Sequence, residues 1–115
     1  MSFDWKNYVY LAEILLDTEK ESYLRSSFSR AYYGVFCTAS NKKGYKNYTG
    51  PDVHRKVISE YKNSTTRLEK DVGRILDKLR RSRNNADYNE DRPLNPELTE
   101  RIVAYAKDIL TQING

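Results

Sequence analysis

Apolar residues recur at intervals of three and four along almost the whole chain, and no segment alternates with period two for long enough to make a strand. Trp5, Tyr8, Val9, Ala12, Leu15 and Leu16 predict a first helix of about four turns. The polar stretch Thr18 to Ser22 reads as a turn. Tyr23 or Leu24, Phe28, Ala31, Tyr32, Val35, Phe36 and Ala39 continue the spacing in a second, longer helix. It should end near Lys43-Gly44, where glycine suits a C-terminal cap. After a loop from Tyr45 to Gly50, Pro51 fits the first position of a third helix, with Asp52 near its positive end. Val53, Val57, Ile58 and Tyr61 give that helix its apolar side, and it should stop near Asn63-Ser64. Thr66-Arg67-Leu68-Glu69 has the form of a capping box. It opens a fourth helix carrying Leu68, Val72, Ile75, Leu76 and Leu79. Asn95-Pro96-Glu97 starts the last helix, marked by Leu98, Ile102, Tyr105, Ile109 and Ile113. The expected fold is all-α: one domain over residues 1–115, an up-and-down bundle of four to five helices with short connections.

A chain of 115 residues buries roughly two thirds of its unfolded surface, enough for a core without covalent staples. Cys37 is the one cysteine and His54 the one histidine, so neither an internal disulfide nor an ordinary Cys/His zinc site can form within one chain. No metal or cofactor is expected. Met1 to Trp5 has neither a basic region nor an apolar run, and no stretch approaches the roughly 18 apolar residues of a membrane span. A cytoplasmic protein is expected. The net charge of +4 is mild, but its distribution is uneven. Lys42, Lys43, Lys46, Arg55, Lys56 and Lys62 form one cluster, and Arg80, Arg81 and Arg83 a second. Brought together by the fold, they would make a local anion-attracting field.

One residue stands out by its phase. Four residues beyond Leu79, the apolar stripe of the fourth helix delivers Arg83 to the buried face or its edge. A guanidinium there needs partners, because burying it alone is costly. Asp87, Tyr88 and Asn84 are within local reach; a second subunit and a bound phosphate are the other candidates. A second feature is Ser29-Arg30-Ala31-Tyr32-Tyr33-Gly34-Val35-Phe36. Adjacent tyrosines on a helix point about 100° apart, so one can serve the core and the other a partner surface or a site. Gly34 costs about 1 kcal/mol of helix stability relative to alanine, which suggests close approach of another helix. His54, early in the third helix, is the only side chain with an unperturbed pKa suited to proton transfer near neutrality. Cys37 reads as a small core residue.

The segment Ser29 to Phe36, then His54 with Val57, then Leu79 to Tyr88 resembles the HEPN family, in the branch reading S-R-A-Y-Y-x-x-F, H-x-x-V and R-x-x-A-D-Y. The order and rough spacing hold over about residues 5 to 110. The resemblance implies a helical bundle that dimerises, with a polar cleft at the dimer axis. It implies a role as a metal-independent RNA endonuclease of a toxin or defence system, or as the companion of a minimal nucleotidyltransferase. Catalytic members carry an arginine, a polar residue, and a histidine four to six residues after the arginine. Arg83 and Asn84 match the start of that pattern, but Tyr88 stands where the histidine would fall. A phenol with a pKa near 10 is a poor base at neutral pH, though it can donate a hydrogen bond or stack on a base.

The expectation is therefore a dimeric component that binds RNA or a nucleotide, with weak or no catalysis, and a nucleotidyltransferase as its protein partner. Arg83, Asp87 and Tyr88 are the candidate catalytic residues. Arg83, Asn84, Arg80, Tyr33, His54 and Arg30 are the candidate ligand contacts. Competing readings are an active endoribonuclease, with Tyr88 or His54 sharing proton transfer, and a purely structural dimerisation module.

Overall fold

The apolar phases resolve into five helices: α1 (Lys6–Leu16), α2 (Glu21–Lys42), α3 (Val53–Lys62), α4 (Arg67–Tyr88) and α5 (Pro96–Asn114). The computed structural model describes residues 4–16, 20–45, 50, 52–88 and 96–114, and among these there is no strand. The loop residues 46–49, Pro51, Asn95 and residues 17–19 lie outside the described residues, as does Lys46 of the first basic cluster. Of the turn expected over Thr18 to Ser22, Lys20 caps α2, and Glu21 and Ser22 already belong to it.

Local chemistry sets the helix ends. Asp4 starts α1, its Oδ1 accepting the Lys6 amide at 3.2 Å. Trp5 thus precedes the helix, which has 11 residues and is about one turn shorter than its periodicity predicts. Gly44 takes a φ of +84° just past α2. That turn lets the Gly44 amide reach the Asn41 carbonyl at 3.1 Å and the Tyr45 amide reach Ser40 at 3.0 Å, closing the helix in a Schellman motif. The capping box of α4 forms by half. Thr66 Oγ1 accepts the Glu69 amide at 3.3 Å. The Glu69 carboxylate turns away, accepting from the Ser64 hydroxyl at 2.6 Å and from Lys43 Nζ at 2.8 Å. Lys43 brings an opposite charge to the carboxylate, which the backbone amide of a closed box would not.

Side-chain contacts fix the helix directions. Ser27 donates to the Ala12 carbonyl at 2.8 Å while Gly34 lies against Trp5 and Val9, so α1 and α2 are antiparallel. Tyr33 meets Arg83 and Lys43 meets Glu69, so α2 and α4 are antiparallel. Tyr32 meets His54 and Tyr61 donates to the Ala39 carbonyl at 2.9 Å. Hence α2 and α3 run the same way. Elsewhere successive helices alternate. The second helix touches all the others.

The core collects Val9, Phe28, Val35, Val57, Leu76 and Ile109, each at most 3% exposed. Leu68, Leu98 and Tyr105, assigned to apolar stripes by spacing, are instead 50%, 49% and 42% exposed. The buried seam of α5 runs through Ile102, Val103, Ala106, Ile109 and Leu110, which leaves positions 98 and 105 roughly 90° off its centre. Gly34 is a true close approach: a Cβ there would lie 2.7 Å from Val9 Cγ2 and 2.9 Å from the Trp5 carbonyl oxygen. No helix among the described residues is long and apolar enough to cross a membrane.

Candidate functional site

Arg83 falls in phase with Leu76 and Leu79, both at most 1% exposed, and so points from α4 toward the bundle. It does not reach the core proper. At this level the neighbour on α2 is Tyr33, whose hydroxyl accepts from Arg83 Nη2 at 2.8 Å. The guanidinium carbon lies 4.8 Å from the Tyr33 ring centroid. Nη1 donates to Asn84 Oδ1 at 3.1 Å. A hydrogen bond to a charged group contributes about 1.5–3 kcal/mol and a cation–π contact roughly 0.5–2 kcal/mol, so the side chain is held in place.

The adjacent tyrosines divide the work. Tyr32 is fully buried, whereas Tyr33 is half-buried and faces the arginine. The Tyr32 hydroxyl shares a 2.6 Å hydrogen bond with His54 Nδ1. The His54 imidazole stacks on Phe36, with centroids 4.1 Å apart and planes 15° from parallel, and meets the Tyr33 ring edge-on at 6.1 Å. One turn of α2 thereby presents Tyr32, Tyr33 and Phe36 to the first turn of α3, and Arg83 closes the group from α4.

The electrostatics follow from this packing. Burial, helped by the nearby charges of Arg80 and Arg83, pulls the His54 pKa down to about 4. The imidazole is neutral at pH 7. Burial raises the Tyr32 phenol well above its ordinary value, so it too stays neutral. The shared proton sets what the other ring nitrogen offers. With Tyr32 donating, His54 Nε2 carries a proton and can donate to an anion. With Nδ1–H donating, Nε2 is a lone pair and can act as a base.

The fold thus joins Tyr33, His54, Arg80, Arg83 and Asn84, and all five are half-buried. Arg30 is placed differently: it is exposed, its guanidinium 4.9 Å from the centroid of the Tyr8 ring on α1. Asp87 and Tyr88 fall in the last turn of α4, and their side chains lie outside the described residues. The first basic cluster does not gather. Lys43 pairs with Glu69, Arg55 and Lys56 with Asp52, and Lys62 with Asp77, so these cations are spread over three separate carboxylates. Spacing alone did not reveal Tyr32 and Phe36 as the seat of His54, because that contact joins residues 22 and 18 positions apart. Cys37 is half-buried against the core, and burial pushes its thiol to about 11, leaving it unreactive near neutrality. Among the described residues no three His, Cys, Asp or Glu side chains gather as a metal site would require.

Searches of family models, of curated proteins and of solved structures each gave no match to this chain.

Proposed function

We propose that the chain is a dimeric HEPN-type protein that binds RNA or a nucleotide through the cluster around Arg83, with weak or no catalysis. The supporting observation is one arrangement: a guanidinium held by Tyr33 and Asn84 beside a second cation, Arg80, and a neutral imidazole. Arginine is the residue best shaped for two-point phosphate contact, and aromatic side chains offer stacking surface for a base. His54 Nε2–H, in the tautomer where Tyr32 donates, adds a further donor. The resemblance in sequence supplies the biological setting: a two-component toxin–antitoxin or defence unit in the cytoplasm, with a minimal nucleotidyltransferase as the partner.

The test is binding of labelled RNA in EDTA. The proposal expects saturable binding that Arg83→Ala weakens by an order of magnitude or more while helicity is retained. Equal affinity in the variant would refute it. A monomer at all concentrations in analytical ultracentrifugation would remove the dimer from the account.

A second reading, an active metal-independent endoribonuclease, is favoured by one specific observation. His54 lies beside two arginines and is neutral at pH 7, so it has a lone pair to take a proton, although a pKa of about 4 makes it a weak base and the catalysis slow. In that reading Arg83 holds the phosphate and His54 Nε2 takes the 2′-hydroxyl proton as the 2′-oxygen attacks phosphorus. The P–O5′ bond breaks to leave a 2′,3′-cyclic phosphate, and water protonates the departing 5′-oxygen. Cleavage of RNA in EDTA, lost in both Arg83→Ala and His54→Gln, would establish it over the first.

A further inference from the structure

The outer face of α4 carries Arg67, Lys70, Arg74, Lys78 and Arg81, at spacings of three, four, four and three. All five are exposed. At about 100° per residue they fall within roughly 80° of the helix circumference, and they span about 21 Å along its axis. Asp71 and Asp77 flank them, and Lys62 joins from α3 by sharing Asp77 with Arg81. Six cations against two acids make a net +4 on this one face, as large as the formal net charge of the whole chain. Beside the ridge lies an open groove of about 680 Å³ lined by Lys62, Thr65, Arg67, Lys70, Asp71 and Arg74.

This pattern is costly for a surface that only meets water. Like charges three or four apart on a helix repel by about 0.2–0.5 kcal/mol each, and the ridge has four such pairs against two ion pairs of similar worth, Arg74 with Asp71 and Arg81 with Asp77. Arg67 and Lys70 also sit in the first turn, where the helix dipole disfavours cations. Among the described residues neither meets a carboxylate, since Asp71 pairs with Arg74 and Glu69 with Lys43. The outer face of α5 shows the alternative: Glu97, Glu100, Arg101, Lys107 and Asp108 mix both signs.

We propose that the outer face of α4 is a track for the phosphate backbone of a nucleic acid. A protein partner would need apolar anchors at the centre of its contact, and between Arg67 and Arg81 the described residues of the ridge offer none. Leu68, the exposed large apolar residue among the described side chains of this helix, is turned about 100° from Arg67. Regularly spaced cations with no apolar residue between them suit an evenly charged chain, which is held by counterion release rather than by base contacts. Arg83 lies on the opposite side of α4, so the track stands apart from the cluster proposed above.

The test uses the full chain with the triple variant Arg67→Gln/Lys70→Gln/Arg74→Gln, since glutamine preserves helix propensity. The probes are a labelled long oligouridylate and a labelled dinucleotide. The variant should bind the long strand tenfold or more weakly and lower the log–log salt slope by about 2, at roughly 0.7 per lost phosphate contact. Dinucleotide binding should not change. Unaltered long-strand binding, or an equal loss in the control Lys20→Gln/Arg101→Gln/Lys107→Gln, overturns the track. So does a wild-type affinity independent of salt, a result that needs no variant to fold. Polyglutamate bound as tightly as the RNA, and lost equally in the variant, makes the occupant an acidic polypeptide and overturns it as well. Arg83→Ala separates the two sites: loss of the dinucleotide there tests the cluster and leaves the track untouched.

Discussion

Arg83 donates to the hydroxyl of Tyr33 at 2.8 Å, joining two residues 50 positions apart in the chain. The bond explains why two tyrosines stand side by side on α2. Tyr32 fills the core and anchors His54, and Tyr33 turns outward by about one residue's rotation to hold the arginine.

Tyr33→Phe keeps the ring but removes the acceptor. A lost hydrogen bond to a charged group should cost about 1.5–3 kcal/mol, read as a lower urea midpoint. RNA affinity should fall several-fold, because Arg83 loses its fixed position. Unchanged affinity would mean that the arginine does not need this contact to bind.

His54 makes stability depend on pH with a definite sign. Its folded-state pKa of about 4 lies below the ordinary value of 6.5, so the unfolded chain takes up the proton first as pH falls. The contribution is fully present above about pH 6.5 and is lost as pH drops toward about 4. His54→Gln cannot titrate there, so its urea midpoint should vary less across that window than that of the wild type. Parallel curves for the two proteins would contradict the burial of a neutral imidazole.

Gly34→Ala should destabilise although alanine is the better helix former. The added Cβ would meet Val9 and the Trp5 carbonyl at 2.7 and 2.9 Å. Overpacking of this kind costs about 1–3 kcal/mol, against a propensity gain of about 1 kcal/mol. Thermal unfolding measures the balance, and a raised melting temperature would show that α1 gives way easily.

Tyr61→Phe removes the donor to the buried Ala39 carbonyl, which should cost about 1 kcal/mol. Burial pushes the Tyr61 phenol to about 12, so spectrophotometric titration should find it among the last tyrosines to ionise. Ionisation near pH 10 would place the hydroxyl in water.

Much of this was legible in the sequence because it is local. The spacing of Val57, Ile58 and Tyr61, the glycine after Lys43 and the phase of Arg83 each follow from helix geometry over a few residues. What spacing could not give is long-range. The parallel course of α2 and α3 rests on contacts between residues 22 positions apart, which leave no periodic signal. The seat of His54 on Tyr32 and Phe36 joins two helices. Leu98 and Tyr105 mislead because an apolar residue off the seam still fits a three-four pattern. That Tyr32 and Tyr33 face different ways follows from helix geometry, but which of them meets Arg83 depends on a contact across 50 positions.

His54 is the only imidazole in the chain, so one proton resonance reports on the cluster without assignment. The most direct measurement is its NMR titration with and without saturating RNA. An anion seated on Arg80 and Arg83 would cancel the charges that help burial hold His54 down, and its pKa should rise from about 4. A resonance and pKa unmoved while RNA is bound would mean that the ligand sits elsewhere, and that the cluster around Arg83 is not its site.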